Sequence, residues 1–147
     1  MVPYYGCLLV RPPQLTGAAD PENPLDIDRI AEACGAQVAS WPHKTECCGA
    51  AMFLARPDVV ARLCGQLTQM AKRARGDCIV TACPMCHHNL EVSQWSRARD
   101  GHHDAPLPVL FVSDLVALAL GLDETDDQLA RQLIDPRPLL RDRGVLP

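Results

Sequence analysis

The sequence has few aromatic residues, no long apolar segment and no run of basic residues. Only 4% of its 147 residues are aromatic, so its core is expected to be largely aliphatic. The longest apolar run, Leu115 to Leu120, is far shorter than the roughly 18 residues that suggest a membrane-spanning helix. The formal net charge is −4, and without a basic cluster nothing indicates binding to nucleic acid or to an anionic membrane.

The beginning of the sequence also lacks the pattern of an export signal. Residues 1–6 contain no basic side chain, and the apolar run that follows is too short for a signal peptide. These features predict a soluble, cytoplasmic protein without direct membrane insertion. In that compartment the eight cysteines are expected to be buried, reactive or metal-bound thiols rather than structural disulfides.

The composition and the residue pattern predict one α/β domain. Short apolar runs that predict strands cover residues 4–10, 37–40, 78–82 and 107–112. Predicted helices begin at Pro24, Pro57 and Pro84, and two more cover 113–120 and 125–133. This order indicates a small, mostly parallel sheet of about four strands flanked by helices. We expect the domain to span residues 1–122, followed by a peripheral C-terminal tail at 123–147.

Five cysteines lie at or after the carboxyl ends of the first three predicted strands: Cys7, Cys47, Cys48, Cys83 and Cys86. Loops at the carboxyl ends of parallel strands share one edge of the sheet, which is where ligands bind in such folds. The five thiols are therefore expected to meet in one place. Cys34, Cys64 and Cys78 lie within predicted helices or at a strand, where we expect them to pack as small core residues.

Five converging thiolates need cations to neutralise their repulsion, and several iron ions do this better than one zinc ion. The adjacent residues Cys47 and Cys48 would supply two ligands that point in different directions. Gly49 allows the backbone to turn closely around a bulky inorganic core and to aim its N–H at a sulfide. A helix that begins at Pro84 adds a dipole that favours an anionic cluster. The pattern therefore favours an iron–sulfur site.

Three other interpretations of the cysteines remain open. A structural zinc site needs fewer cysteines than this set supplies. The segment Cys83–Pro84–Met85–Cys86, at a strand-to-helix turn, is also typical of a redox-active dithiol. Together with His87 it matches the attachment sequence of c-type haem, but that chemistry requires export.

Basic side chains flank the cysteines. His43 and Lys44 precede the double cysteine and could lend positive charge to an anionic cluster or substrate. His87 follows Cys86 and could protonate a leaving thiolate. Solvent exposure is the simpler expectation for these residues, and Lys44 and His87 are kept as candidate contributors to catalysis. The pair at positions 102 and 103, both histidines, lies in a polar loop and is assigned no role.

Three segments together resemble a known family: Tyr5–Gly6–Cys7 with residues 8–13, Cys47–Cys48–Gly49, and Cys83–Pro84–Met85–Cys86 with Asn89–Leu90. They resemble the CCG, or cysteine-rich, domain of the B-type subunit of heterodisulfide reductase, in particular its carboxyl-terminal repeat. The spacing is part of the resemblance, because 39 residues (8–46) separate Cys7 from Cys47 and 34 (49–82) separate Cys48 from Cys83.

The resemblance implies a noncubane [4Fe–4S] cluster bound by five cysteines: Cys7, Cys47, Cys48, Cys83 and Cys86. It further implies that electrons arrive through a partner with cubane clusters, similar to the C-type subunit of that enzyme, and that a small disulfide is reduced or the corresponding thiols are oxidised. The B-type subunit carries two CCG repeats, whereas this chain has one, so a second CCG domain is an additional expected partner. Related CCG proteins serve other oxidoreductases, and there the domain would only pass electrons or support assembly.

Overall fold

The computed structural model describes residues 1–101, 104–122 and 124–147. Over these ranges three strands are present: β1 (Val2–Tyr4), β2 (Ile79–Thr81) and β3 (Val109–Phe111). The helices are α1 (Pro13–Thr16), α2 (Asp26–Ala33), α3 (Pro57–Arg73), α4 (Pro84–Arg99), α5 (Val112–Ala119), α6 (Thr125–Leu129) and α7 (Arg137–Asp142), with a short 3₁₀ turn at Ala50–Met52. The predicted α/β class with a small parallel sheet flanked by helices is confirmed.

The sheet of the described residues has three strands in the order β1-β2-β3, all parallel, rather than the expected four or so. The segment predicted as another strand, 37–40, does lie beside β1. There the Met1 amino group donates to the Gln37 carbonyl at 3.0 Å, and the Ala39 N–H donates to the Met1 carbonyl at 2.9 Å.

This contact cannot continue along β1 because of Pro3. In a parallel pair, every second residue of a strand hydrogen-bonds to the same neighbouring segment. After Met1, the next residue to bond to segment 37–40 would therefore be Pro3. Pro3 has no N–H to donate, and its carbonyl accepts the indole N–H of Trp41 at 2.6 Å. The segment therefore remains a single pair of hydrogen bonds at the edge of the sheet.

The first strand lies earlier than predicted, at Val2–Tyr4 instead of 4–10. The chain turns at Gly6, whose φ is +64°, and the N–H groups of Tyr5 and Gly6 both donate to the Lys44 carbonyl. An apolar run does not by itself distinguish a strand from a turn, and this turn is held by a residue far along the chain. As a result Cys7 lies in the turn that follows β1.

Helix prediction was more accurate than strand prediction. The helices predicted from Pro57 and from Pro84 begin at those residues, as α3 and α4. The helix predicted from Pro24 begins two residues later, at Asp26. Helix α4 continues to Arg99, so it includes the first two residues of the polar loop predicted at 98–106. The two histidines of that loop, 102 and 103, lie outside the described residues.

The core consists of two clusters of buried side chains, one on each face of the sheet. The cluster under α3 and α4 includes Tyr4, Trp41, Cys48, Cys64, Leu67, Ile79, Cys86, Leu90 and Val109. The cluster on the other face includes Val10, Ile27, Ala31, Cys78, Val80, Leu110, Leu115, Leu129 and Leu140. Successive side chains of a strand point to opposite faces of the sheet, so Ile79 belongs to one cluster and Val80 to the other.

Three observations bear on residues outside the cysteine loops. Cys64 and Cys78 are buried in the core as expected, whereas Cys34 is only half-buried. The segment predicted as a tail contributes Leu129 and Leu140 to the second cluster, while a domain division at 122 stays a prediction. Among the described residues, none of the helices combines the length and the apolar character that a membrane span requires.

Candidate functional site

The three cysteine-bearing loops lie at one edge of the sheet. Cys7 follows β1, and Cys83 follows β2 and directly precedes α4. Cys86 lies in the first turn of α4, while Cys47 and Cys48 precede the 3₁₀ turn at Ala50–Met52. We call these five residues the cysteine site.

Cysteines from different loops form two pairs whose sulfur atoms lie close together. The Sγ atoms of Cys7 and Cys47 are 3.7 Å apart, and those of Cys48 and Cys86 are 3.5 Å apart. Because Cys47 and Cys48 are consecutive, the two pairs lie next to each other. Cys83 lies beside Cys86, because pairing with Cys48, burial and the nearby Cys83 thiol together raise the pKa of Cys86.

The cysteine site runs from the core to the surface. Cys48 and Cys86 are buried, Cys7 and Cys83 are partly exposed, and Cys47 is exposed. A buried cysteine can anchor a group without contacting solvent, whereas an exposed one can be reached by a small molecule. The arrangement can therefore hold an inorganic group from one side and leave its other side open.

Two glycines allow the backbone to approach these sulfurs closely. At Gly6, with φ +64°, an added Cβ would lie only 2.9 Å from the Cys86 sulfur. At Gly49, with φ +85°, the backbone N–H donates to the Cys47 sulfur at 3.3 Å. The sequence pattern predicted that Gly49 aims its N–H at a sulfide; in the structure this N–H donates to the Cys47 thiol, and the contact with a sulfide stays a prediction. The role of Gly6 was overlooked, although its position directly before Cys7 was the available signal.

The arrangement of the cysteine sulfurs distinguishes a site for one metal ion from a site for a cluster of several. In the described ranges no three or more His, Cys, Asp or Glu side chains are grouped to hold one metal ion. The thiols instead form two neighbouring pairs with Cys83 beside them. A cluster of several iron ions takes its thiolate ligands at separate irons, so two sulfur pairs beside closely approaching glycine backbone fit such a group.

The pKa values of the paired thiols Cys48 and Cys86 are shifted in opposite directions. Pairing with Cys86, assisted by the Asn89 amide, lowers the pKa of Cys48 to about 6. The same pairing, together with burial, raises the pKa of Cys86. Burial and the pairing with Cys47 raise the pKa of Cys7. Cys48 therefore loses its proton more readily than Cys86, and the thiolate is the form in which cysteine binds metals.

Helix α4 adds its amino-terminal end to the cysteine site. Cys83 precedes its first residue in an extended conformation, and no acidic side chain lies in its first turn. The free N–H groups and the dipole at this end favour negative charge. This matches the expectation for an anionic cluster.

The basic residues near the cysteines have other partners. The Lys44 ammonium is buried, donates to the Pro24 carbonyl at 2.7 Å and lies 3.4 Å from the Asp28 carboxylate. His43 Nδ1 is 2.8 Å from the carboxylate of Glu46. Both side chains therefore have partners outside the cysteine site.

His87 is buried, contrary to the simpler expectation of exposure. Its ring stacks on Phe111 at 4.2 Å between centroids, and its Nδ1 lies 3.7 Å from the Glu91 carboxylate. Among the described residues, its Nε2 has no hydrogen-bond partner. The ring is thus held by its neighbours, and its Nε2 is a buried nitrogen without a partner in the part of the chain that the structure describes.

Two polar residues near the sulfurs were assigned no role in the site from the sequence, although one of them, Asn89, belongs to a segment that resembles the family. The Tyr4 hydroxyl donates to the Glu46 carbonyl at 2.7 Å and so fixes the loop that carries Cys47. The Asn89 side-chain amide donates to the Cys48 sulfur at 3.6 Å. Asn89 lies three residues after Cys86, on the same face of α4. This helical spacing was the signal that could have indicated its contact with the cysteine site.

Comparison with known proteins identifies a family model and several relatives. The model for "CCG: Cysteine-rich domain" matches residues 1–91. The chain is 34% identical over 128 residues to the B-type subunit of ferredoxin:CoB-CoM heterodisulfide reductase of Methanosarcina mazei, an alignment that covers 86% of this chain and 42% of the relative. It is 29% identical over 136 residues to the 8-methylmenaquinol:fumarate reductase membrane anchor subunit of Wolinella succinogenes, covering 92% of this chain and 48% of the relative.

A third relative, from Archaeoglobus profundus, is named as a protein like the B-type subunit of heterodisulfide reductase. It is 28% identical over 120 residues, covering 80% of this chain and 40% of that protein. The chain thus spans less than half the length of these curated relatives, although they match most of it. The matched region includes all three cysteine-bearing loops.

Proposed function

The chain belongs to the CCG, or cysteine-rich, domain family, and we propose that it is an iron–sulfur subunit of a heterodisulfide-reductase-like complex. In this proposal five residues hold a noncubane [4Fe–4S] cluster: Cys7, Cys47, Cys48, Cys83 and Cys86. Such a cluster, when bound, supplies the electrons that split a disulfide or accepts electrons from two thiols. The observation that carries the proposal is the meeting of thiols from three loops, with sulfur distances of 3.5 and 3.7 Å.

In this proposal, the role of each cysteine depends on whether its side chain is buried or exposed. Buried Cys48 and Cys86 anchor the group, while exposed Cys47 lies on the side from which a small disulfide approaches. His87 is the candidate proton donor to a leaving thiolate, because stacking on Phe111 holds its ring and Nε2 has no partner among the described residues. Lys44, engaged with Pro24 and Asp28, contributes by fixing its loop.

Partner proteins are part of the proposal. The heterodisulfide reductase and fumarate reductase relatives are named as subunits and are more than twice as long as the aligned region. We propose that the working unit also contains a second CCG domain and a cubane iron–sulfur protein. Large apolar side chains in or near the cysteine loops are exposed, including Leu8 at 71% and Leu54 at 91%, and would be covered by such a partner.

The direct experiment is anaerobic purification followed by iron and acid-labile sulfide analysis. We expect both elements, and a new electron paramagnetic resonance signal after thiol is added to the oxidised protein. Stoichiometric zinc without sulfide would contradict the proposal. The same preparation, titrated with a small disulfide after reduction, measures whether the group reacts.

A second function is favoured by the relative from Wolinella succinogenes, which is named as part of a fumarate reductase rather than a disulfide reductase. In that case the domain would pass electrons or support assembly within another oxidoreductase. This alternative predicts a cluster that is reduced and reoxidised reversibly. Its spectrum would not change when disulfide or thiol is added.

A further inference from the structure

Asn89 is a buried amide whose only polar contact within the described residues is with a sulfur of the cysteine site. Its side chain is 1% exposed, and its Nδ2 donates to Cys48 Sγ at 3.6 Å. The same sulfur lies 3.5 Å from Cys86 Sγ, one helical turn before Asn89 on α4. The Cys48 sulfur is therefore held between a thiol and an amide that belong to one rigid helix.

The fold itself does not explain this amide. Asn89 Oδ1 is buried and has no hydrogen-bond partner among the described residues. Burying a polar atom without a partner lowers stability, and most buried amides in proteins avoid it. Asn89 therefore carries an unfavourable contribution that an apolar side chain of similar size would not.

Gln94, on the same helix, shows what a structural amide does. Its Nε2 donates to the carbonyls of Leu90 at 3.2 Å and Leu107 at 3.0 Å. Its Oε1 accepts the Leu107 N–H at 2.7 Å. Both polar atoms are satisfied and tie α4 to the segment that leads into β3, so Gln94 is a matched comparison for Asn89.

We propose that Asn89 is a positioning residue that holds the Cys48 sulfur and raises the reduction potential of the cluster this sulfur ligates. An N–H that donates to a ligand sulfur withdraws electron density, and this stabilises the reduced, more negative state. The inference rests on the proposed function, because it assigns Asn89 to the iron–sulfur group of the cysteine site.

The test compares the wild type with Asn89→Leu, Asn89→Ala and Gln94→Leu, all purified anaerobically. Asn89→Ala removes the amide donor without adding charge or bulk. We expect both Asn89 variants to show a more negative midpoint potential and faster loss of iron to a chelator. For metal-free Asn89→Leu we expect an unfolding temperature equal to or above that of the wild type. Gln94→Leu should unfold at a lower temperature with the wild-type potential.

The outcomes separate the inference from the function on which it rests. A wild type without iron and sulfide would overturn the proposed function, and the inference with it. A loaded wild type whose potential and iron release are matched by both Asn89 variants would overturn the inference alone. So would a metal-free Asn89→Leu protein destabilised as much as Gln94→Leu. If the leucine variant does not fold, the potential of Asn89→Ala decides.

Discussion

At the residue scale, the cysteine site combines one thiol pair inside the protein with one near the surface. Cys48 and Cys86 belong to the core cluster under α3 and α4, so their positions are set by packing as well as by any bound group. Cys7 lies in a turn and Cys47 in an irregular loop, and both are more exposed. Substitutions at the outer pair therefore test the bound group with less disturbance of the fold.

Replacing Cys7 by serine distinguishes a five-ligand cluster from a zinc site. A zinc ion could be held by the remaining four members of the cysteine site, and zinc content would persist. A noncubane cluster with five ligands should instead be lost or converted to a cubane form, visible in the iron-to-sulfide ratio and the resonance spectrum. Cys34→Ser is the control, because Cys34 lies outside the site, and it should retain the wild-type spectrum. Unchanged iron and spectrum in Cys7→Ser would argue against five-cysteine ligation.

Gly6→Ala tests the close approach of backbone to sulfur. A Cβ at this position would meet the Cys86 sulfur at 2.9 Å, and the positive φ of +64° adds strain of roughly 1–2 kcal/mol for a residue with a side chain. Gly17→Ala is the matched control, since Gly17 has a similar φ of +71° with no atom within 4 Å of the added Cβ. We expect both variants to lose stability in thermal unfolding, and only Gly6→Ala to lose iron. Equal iron content in the two variants would count against a role for this close approach in holding the cluster.

At the element scale, helix α4 connects the cysteine site to three other parts of the protein. Its first turn carries Cys86, and Gln94 ties it to the segment before β3. The Ser93 hydroxyl donates to the Ala61 carbonyl of α3 at 3.2 Å. The Glu91 carboxylate accepts backbone N–H groups of Leu133 and Ile134. A displacement of α4 would therefore disturb its contacts with the segment before β3, with α3 and with the C-terminal segment.

Glu91→Leu should release the segment between α6 and α7. The buried carboxylate accepts the N–H groups of Leu133 at 3.4 Å and Ile134 at 3.2 Å, and hydrogen bonds to a charged group contribute roughly 2 kcal/mol. Hydrogen exchange at these two amides should become faster by at least tenfold, while exchange in α3 stays near the wild-type rate. Glu32→Leu, at an exposed position of α2, is the control and should leave both amides protected. Unchanged protection in Glu91→Leu would mean that packing alone holds the segment.

At the scale of the whole molecule, the fold has a core on each face of its sheet built mainly from apolar side chains. Most members of the two clusters are aliphatic or aromatic; of the cysteine site, Cys48 and Cys86 belong to the first cluster and Cys83 packs against it. Small structural zinc domains differ, because their metal supplies the free energy that folds them. This difference leads to a test of metal removal.

Removing metal with a chelator under anaerobic conditions should leave the secondary structure intact. We expect the far-ultraviolet circular dichroism spectrum to be retained and the unfolding transition to shift to lower temperature, because a ligand that binds the folded state adds stability. The control is the same protein before chelation, at the same concentration. Loss of the dichroism spectrum on chelation would instead indicate a domain folded by its metal.

Local residue patterns were sufficient to predict helices α2 to α6 and the general position of the cysteine site, but not the short helices α1 and α7. Pro57 and Pro84 start their helices as the first-turn preference of proline predicts, and the cysteines follow strands because parallel strands share an edge. The boundaries of β1 and the absence of a strand at 37–40 in the described residues were not predicted. Both depend on contacts between distant segments, with Lys44 at the Gly6 turn and Trp41 at Pro3.

The sequence by itself determined which residues have the chemistry for a cluster: five thiols on three loops, with glycines beside them. Only the tertiary structure decided how these residues pair, with Cys7 beside Cys47 and Cys48 beside Cys86. Residue type and spacing establish what a side chain can bind and which loop carries it. The partner of each sulfur, and the placement of the Asn89 amide against Cys48, follow from the packing of segments about forty residues apart in the chain.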